Sequence, residues 1–124
     1  LATLRSILPE HIAIGVSGDK FGVAGMEAGC DVWLSVLGGL FPKTVKHWIS
    51  MIDAGKASNA RAESDRFNPL WELFATNKGG LRVMASAAKL LAITEEINLP
   101  LPLKPLDHED ELKLRSFMQA NGLQ

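Results

Sequence analysis

Two short apolar runs end in polar residues that could do chemistry. Ser17-Gly18-Asp19-Lys20 closes the first, and Leu34-Ser35-Val36-Leu37 closes the second. Two hydroxyls, a carboxylate and an ammonium can bind a polar ligand, but they do not form a nucleophile paired with a base. Ser-Gly-Asp after a strand also reads more simply, as a tight turn with Asp19 capping the next helix. Lys20 then reads as a solvated residue at the helix start. His11, His47 and His108 are far apart and sit at element edges, so they predict no metal or catalytic cluster. Lys89 lies among small residues. A buried lysine there could form a Schiff base, but nothing flanks it for that role, and a snorkelling edge residue is the simpler reading. Cys30 is expected to be buried and inert. Trp33 reads as sheet wall, and Trp48 and Trp71 as core or interface. No Gly-x-Gly-x-x-Gly or phosphate-loop pattern occurs.

The elements that must position these residues follow from the apolar spacing. Leu1, Leu4, Ile7 and Leu8 recur at helical spacing and stop at Pro9. His11 to Val16 and Val32 to Leu37 read as strands buried on both faces. Between them, Lys20 to Ala28 reads as a short helix, making a β-α-β unit with parallel strands. Pro42 opens a helix with Val45, Trp48, Ile49 and Ile52 on one stripe and Gly55 at its end. A longer helix is expected from Ala57 to Ala75, kinked at Pro69. After Asn77-Lys78-Gly79-Gly80, another helix carries Val83, Met84, Ala87, Ala88, Leu90 and Leu91. The prolines between Leu99 and Leu106 impose extended chain. Asp107 caps a last helix that buries Leu114, Phe117 and Met118 and stops at Gly122.

The bulk numbers narrow the class. The chain has 124 residues, 47% hydrophobic and 22% charged, which is a globular composition. A net charge of −1 supplies no basic field for nucleic acid. One cysteine excludes a disulfide within the chain and suits a reducing compartment. No apolar run approaches the roughly 20 residues of a membrane span, and Leu1 to Leu8 does not read as a signal peptide. The expectation is a cytoplasmic protein. Two strands buried on both faces need parallel neighbours, and no further strand is legible. The chain also begins without Met, in mid-pattern. Both features predict a piece of something longer, with the missing strands in an absent N-terminal part or in another copy.

Three stretches carry a resemblance. They are Val16-Ser17-Gly18-Asp19, then Ala28-Gly29-Cys30-Asp31-Val32-Trp33-Leu34-Ser35-Val36, then Leu99-Pro100-Leu101-Pro102-Leu103-Lys104-Pro105-Leu106 followed by an acidic-capped helix and Asn121-Gly122-Leu123. In this order they resemble the C-terminal portion of the dihydrodipicolinate synthase and N-acetylneuraminate lyase family. The resemblance implies an α/β fold, the C-terminal part of a TIM (β/α)8 barrel, mostly helical by itself. Residues 1–41 would be the last two β/α units, with the seventh and eighth strands. Residues 42–124 would be the final barrel helix and the C-terminal helical extension.

It also implies a class I lyase, an aldolase or dehydratase acting on pyruvate or a 2-keto acid through a lysine imine, with no cofactor and no metal. The imine lysine and a proton-relaying tyrosine would lie outside this chain, which has no tyrosine and no lysine on either predicted strand. No catalytic residue is therefore expected here, and the chain by itself should be inactive. The substrate-binding positions carried over are Ser17, Gly18, Asp19, Lys20, Leu34, Ser35 and Val36. Ser17 would lie beside the keto acid, and Asp19 would meet distal hydroxyls. Leu34 would present its main-chain carbonyl near the imine. The sialic-acid branch has a carboxylate at the position of Lys20, so Lys20 argues against that substrate and could meet an acidic group instead. Partners would be the small-molecule substrate and further copies, commonly a homotetramer, with no nucleic acid and no membrane. Two alternatives stay open: a non-catalytic, self-associating helical fragment, or an unrelated α/β binding module.

Overall fold

The computed structural model describes residues 1–95 and 98–123. They form two compact units, Leu1–Arg66 and Phe67–Gln124. No described helix is long and apolar enough to cross a membrane.

The first unit is built on a two-stranded parallel sheet. Strand β1 (Gly15–Ser17) pairs with β2 (Val32–Leu34) in the register Gly15 with Val32, Val16 with Trp33 and Ser17 with Leu34. Helix α1 (Ala2–Ile7) precedes the sheet, and α2 (Asp19–Glu27) connects its strands. Helix α2 lies unusually close to the sheet because it presents glycine to both strands. A Cβ on Gly22 would fall 1.9 Å from the Trp33 ring, and one on Gly25 would fall 2.6 Å from Val16. A short turn of helix, α3 (Leu37–Leu40), leads to α4 (Pro42–Asp53) and α5 (Ala57–Asp65). Both pack on α2 and on each other. Proline at the start of α4 fits because its missing N–H would have no intrahelical partner there. Val45 and Trp48 are buried on its inner face, and the Trp48 indole donates to Glu63 Oε2 of α5 at 3.2 Å.

The second unit is a three-helix cluster of α6 (Asn68–Thr76), α7 (Gly80–Leu90) and α8 (His108–Ala120), each packed on the other two. Leu70, Trp71, Val83, Ala87, Leu114, Phe117 and Met118 form its core. Phe67 meets Phe117 edge-on at 5.2 Å, and Trp71 meets Phe74 edge-on at 5.5 Å. Residues 98–107 cross between α7 and α8 without regular structure, and the Leu101-Pro102 peptide is cis. Asp107 is the N-cap of α8 as expected, its carboxylate accepting from the Asp110 amide at 2.9 Å. Lys89 of α7 is half-buried and pairs with Glu111 of α8 at 2.8 Å.

Several expectations are corrected. The strands are three residues each, shorter than the apolar runs, and they are not buried on both faces. Val32 is 44% exposed and Leu34 64% exposed, because no third strand among the described residues covers the sheet. Leu37 belongs to α3, not to β2, and is fully buried there. The long helix is two helices. Pro69 cannot donate to the preceding turn, so it opens α6 instead of kinking one continuous helix. Cys30 is half-buried in the turn before β2, not enclosed.

Candidate functional site

The parallel pairing of β1 and β2 brings their C-terminal ends side by side. Ser17 and Leu34 are register partners, and both are exposed. The two polar stretches singled out in the sequence therefore meet at one end of the sheet.

Asp19 organises that end. It is the first residue of α2, only 2% exposed, and it does not cap its own helix. Gly18 is the N-cap, with φ of 92°, a left-handed backbone angle that glycine adopts without a Cβ penalty. The turn therefore forms as read, but the capping role assigned to Asp19 is wrong. Its carboxylate reaches across to the segment after β2 instead. Oδ1 accepts from the Ser35 hydroxyl at 2.5 Å, while Oδ2 accepts from the amides of Val36 at 3.1 Å and Leu37 at 3.0 Å. Ser35 Oγ in turn accepts from the Gly38 amide at 2.7 Å. Asp19 and Ser35 thus satisfy the amides that open α3, which have no intrahelical acceptor. A carboxylate at the start of a helical turn is also favoured by the local backbone dipoles.

This network separates the candidates by role. Asp19 and Ser35 are committed to the protein and fix the path of the chain immediately after Leu34. Ser17, Gly18, Lys20, Leu34 and Val36 are exposed at the same end. Phe21 adds an exposed aromatic ring one residue beyond Lys20, at 61% exposure, and sequence reasoning passed over it. Its position in the first turn of α2 was the available signal.

The opposite end of the sheet is tied down by a second carboxylate that the sequence reading left without a role. Asp31 accepts from the Ile14 amide at 2.7 Å and pairs with Arg5 of α1, while its own amide donates to the Ile14 carbonyl at 2.8 Å. The Ile14 amide foremost, then the Arg5 guanidinium, hold the Asp31 carboxyl below the ordinary carboxylate value. Arg5 also donates to the carbonyls of Gly29 at 3.2 Å and Ile12 at 3.4 Å. The apolar spacing of α1 gave no sign of this role for Arg5. None of that helix's residues is in fact buried.

Trp33 lies against Gly22 of α2 and stacks on Trp48, with centroids 6.3 Å apart and planes at 11°. His47 lies 3.4 Å from Glu63, and all three histidines are exposed. Among the described residues no group of three or more His, Cys, Asp or Glu is placed to hold a metal ion.

No family model matches the chain. Over 99% of its length it is 28% identical to 4-hydroxy-tetrahydrodipicolinate synthase of Chlorobaculum parvum. Over 93% it is 29% identical to the enzyme of that name from Chlorobium limicola. Among solved structures, dihydrodipicolinate synthase of Agrobacterium tumefaciens superposes on 97% of the chain with a TM-score of 0.89 and 35% sequence identity. The chain spans only 41%, 38% and 40% of the lengths of these three proteins. Its two parallel strands and helical remainder match part of a (β/α)8-barrel enzyme.

Proposed function

From this likeness to a part of the dihydrodipicolinate synthases, we propose that the chain is the C-terminal portion of a class I lyase acting on pyruvate or another 2-keto acid. The observation that carries the reading is the juxtaposition of Ser17 and Leu34 at the C-terminal ends of adjacent parallel strands. In barrels of this kind the active site sits at those ends. Residues 1–41 would supply the last two strands, and residues 42–124 the final barrel helix and the helical extension.

The chemistry assigns distinct tasks. In such a lyase a lysine amine attacks the ketone, and loss of water gives an iminium that withdraws electrons as a C–C or C–O bond is made or broken. That lysine and a proton-relaying tyrosine would come from outside this chain. Ser17 would face the keto acid, and the Leu34 carbonyl would face the imine. Asp19 and Ser35 would hold that carbonyl in place through the turn that follows it. With its carboxylate fully occupied, Asp19 is better suited to positioning than to receiving a distal hydroxyl. Lys20, exposed beside it, would meet an acidic group of the second substrate.

Treatment of the chain with pyruvate and borohydride tests the assignment. The account predicts an unchanged mass of 13.4 kDa. A reduced adduct on any lysine would place a nucleophile inside the chain and overturn the division of labour.

A second reading is favoured by the bare sheet. Both outer strand edges are unpaired among the described residues, and Val32, Leu34 and Val36 are exposed beside them. Such edges pair readily with another copy. The isolated chain should therefore self-associate, with a light-scattering mass that rises with concentration. A mass fixed at the monomer value would rule this out.

A further inference from the structure

The second unit holds a cavity of about 380 Å3 between the start of α7 and the segment before α8. Three basic side chains line it, those of Lys78, Arg82 and Lys104, and no Asp or Glu does. We propose that this cavity binds a small ligand through a phosphate group.

The charges are available. No ion pair or hydrogen bond engages the ammonium group of Lys78 or of Lys104 among the described residues, and both residues are exposed. Arg82 is half-buried and anchored. Its Nε donates to the Lys104 carbonyl at 2.6 Å and its Nη2 to the Pro105 carbonyl at 2.8 Å. Those bonds fix the guanidinium plane and tie Lys104 to the same wall, leaving further N–H groups unused. Asp110 interacts electrostatically with Arg82 and also accepts from Asn77 Nδ2 at 2.8 Å and from Lys113 at 3.0 Å, so Arg82 is in part balanced. The ammonium groups of Lys78 and Lys104 have no such counter-charge among the described residues. A fixed guanidinium fork with two mobile ammonium groups suits the several oxygens of a phosphate better than a single carboxylate. Leu81 and Leu103 line the same space and would contact the apolar body of the ligand.

Lys78 has φ of 59° because it closes α6 in a left-handed turn, as Ala92 with φ of 55° closes α7. Glycine can therefore replace it without disturbing the backbone.

Lys78→Gly separates binding from folding, because it removes the cation while relieving the backbone. The test is a titration of the full chain with inorganic phosphate and with glycerol phosphate at low salt, followed by amide chemical shifts. Saturable shifts confined to residues 78–82 and 103–104 are expected, stronger with the ester than with phosphate alone. Lys78→Gly and Lys104→Ala should each weaken binding about tenfold, the effect of losing one charge-assisted hydrogen bond. The thermal midpoint of Lys78→Gly should not fall. Absence of saturable shifts up to about 10 mM phosphate, a dissociation constant beyond the weak end of specific binding, would overturn the proposal. Unchanged affinity in both variants would overturn it equally.

Discussion

Asp19 shows how one residue can be read correctly as important and wrongly in role. From sequence it was either a cap for its own helix or a contact for substrate hydroxyls. In the structure its carboxylate is enclosed and bonded to Ser35, Val36 and Leu37 on the other side of the strand pair. Ala in its place removes the acceptors of the Ser35 hydroxyl and of the Val36 and Leu37 amides. Asp19→Ala should lower unfolding free energy by about 1–3 kcal/mol, the usual cost of leaving a buried polar group unsatisfied. Urea denaturation measures this, and an unchanged midpoint would mean the network contributes nothing. Asp31 makes a pH-dependent prediction. Its folded carboxyl titrates below the ordinary value, because the Ile14 amide and Arg5 favour the ionised form. Its contribution is therefore fully present above the unfolded value of about 3.9 and is lost as pH falls through the lower folded value. Asp31→Asn should flatten the loss of stability across that acid window and leave its slope near neutrality unchanged. Neither role was legible in the sequence, since each depends on a partner far along the chain. Asp31 and Arg5, 26 positions apart, meet only because β1 and β2 are paired.

At the scale of elements the apolar periodicity was informative about existence and poor about extent. The β-α-β unit, its parallel strands, the Pro42 helix entry and the Asp107 cap were all readable from residue type and spacing. Strand length was not. Apolar runs of six residues yielded three-residue strands, because pairing ends where the partner strand ends and not where hydrophobicity does. The split at Pro69 was half-legible: proline announced a disturbance, but the tertiary context decided between a kink and a new helix. The close seating of α2 was hidden, since Gly22 and Gly25 look like weak helix formers until the sheet beneath them is known. Their role can be tested. Gly22→Ala and Gly25→Ala should destabilise by about 1–3 kcal/mol through overpacking, against a gain from helix propensity of less than about 1 kcal/mol. Gly39→Ala, whose Cβ would meet nothing within 4 Å, is the comparison and should show no such loss. Asp107→Ala should cost about 1 kcal/mol through the lost cap of α8, read as a lowered thermal midpoint.

For the molecule as a whole, the composition of a globular protein coexists with a sheet that no described strand completes. The exposed apolar residues Phe21, Val32, Leu34 and Val36 cluster on or beside that sheet. The relatives explain why such a surface would exist, since the matching part of each is less than half of a barrel enzyme. The candidate site lies at the C-terminal end of that sheet, so completing the barrel and completing the site would be one event. The family resemblance was legible because it rested on ordered motifs spread along the whole chain. The basic cavity was not, because Lys78, Arg82 and Lys104 share no sequence pattern and converge only through folding. The most direct test of the central claim joins this chain to the part of the Agrobacterium tumefaciens dihydrodipicolinate synthase that it does not match. The measurement is the intact mass of the folded chimaera after pyruvate and borohydride. The account predicts one reduced pyruvate adduct on a lysine of the supplied part. A folded chimaera that takes no adduct, or takes it on a lysine of this chain, would contradict it.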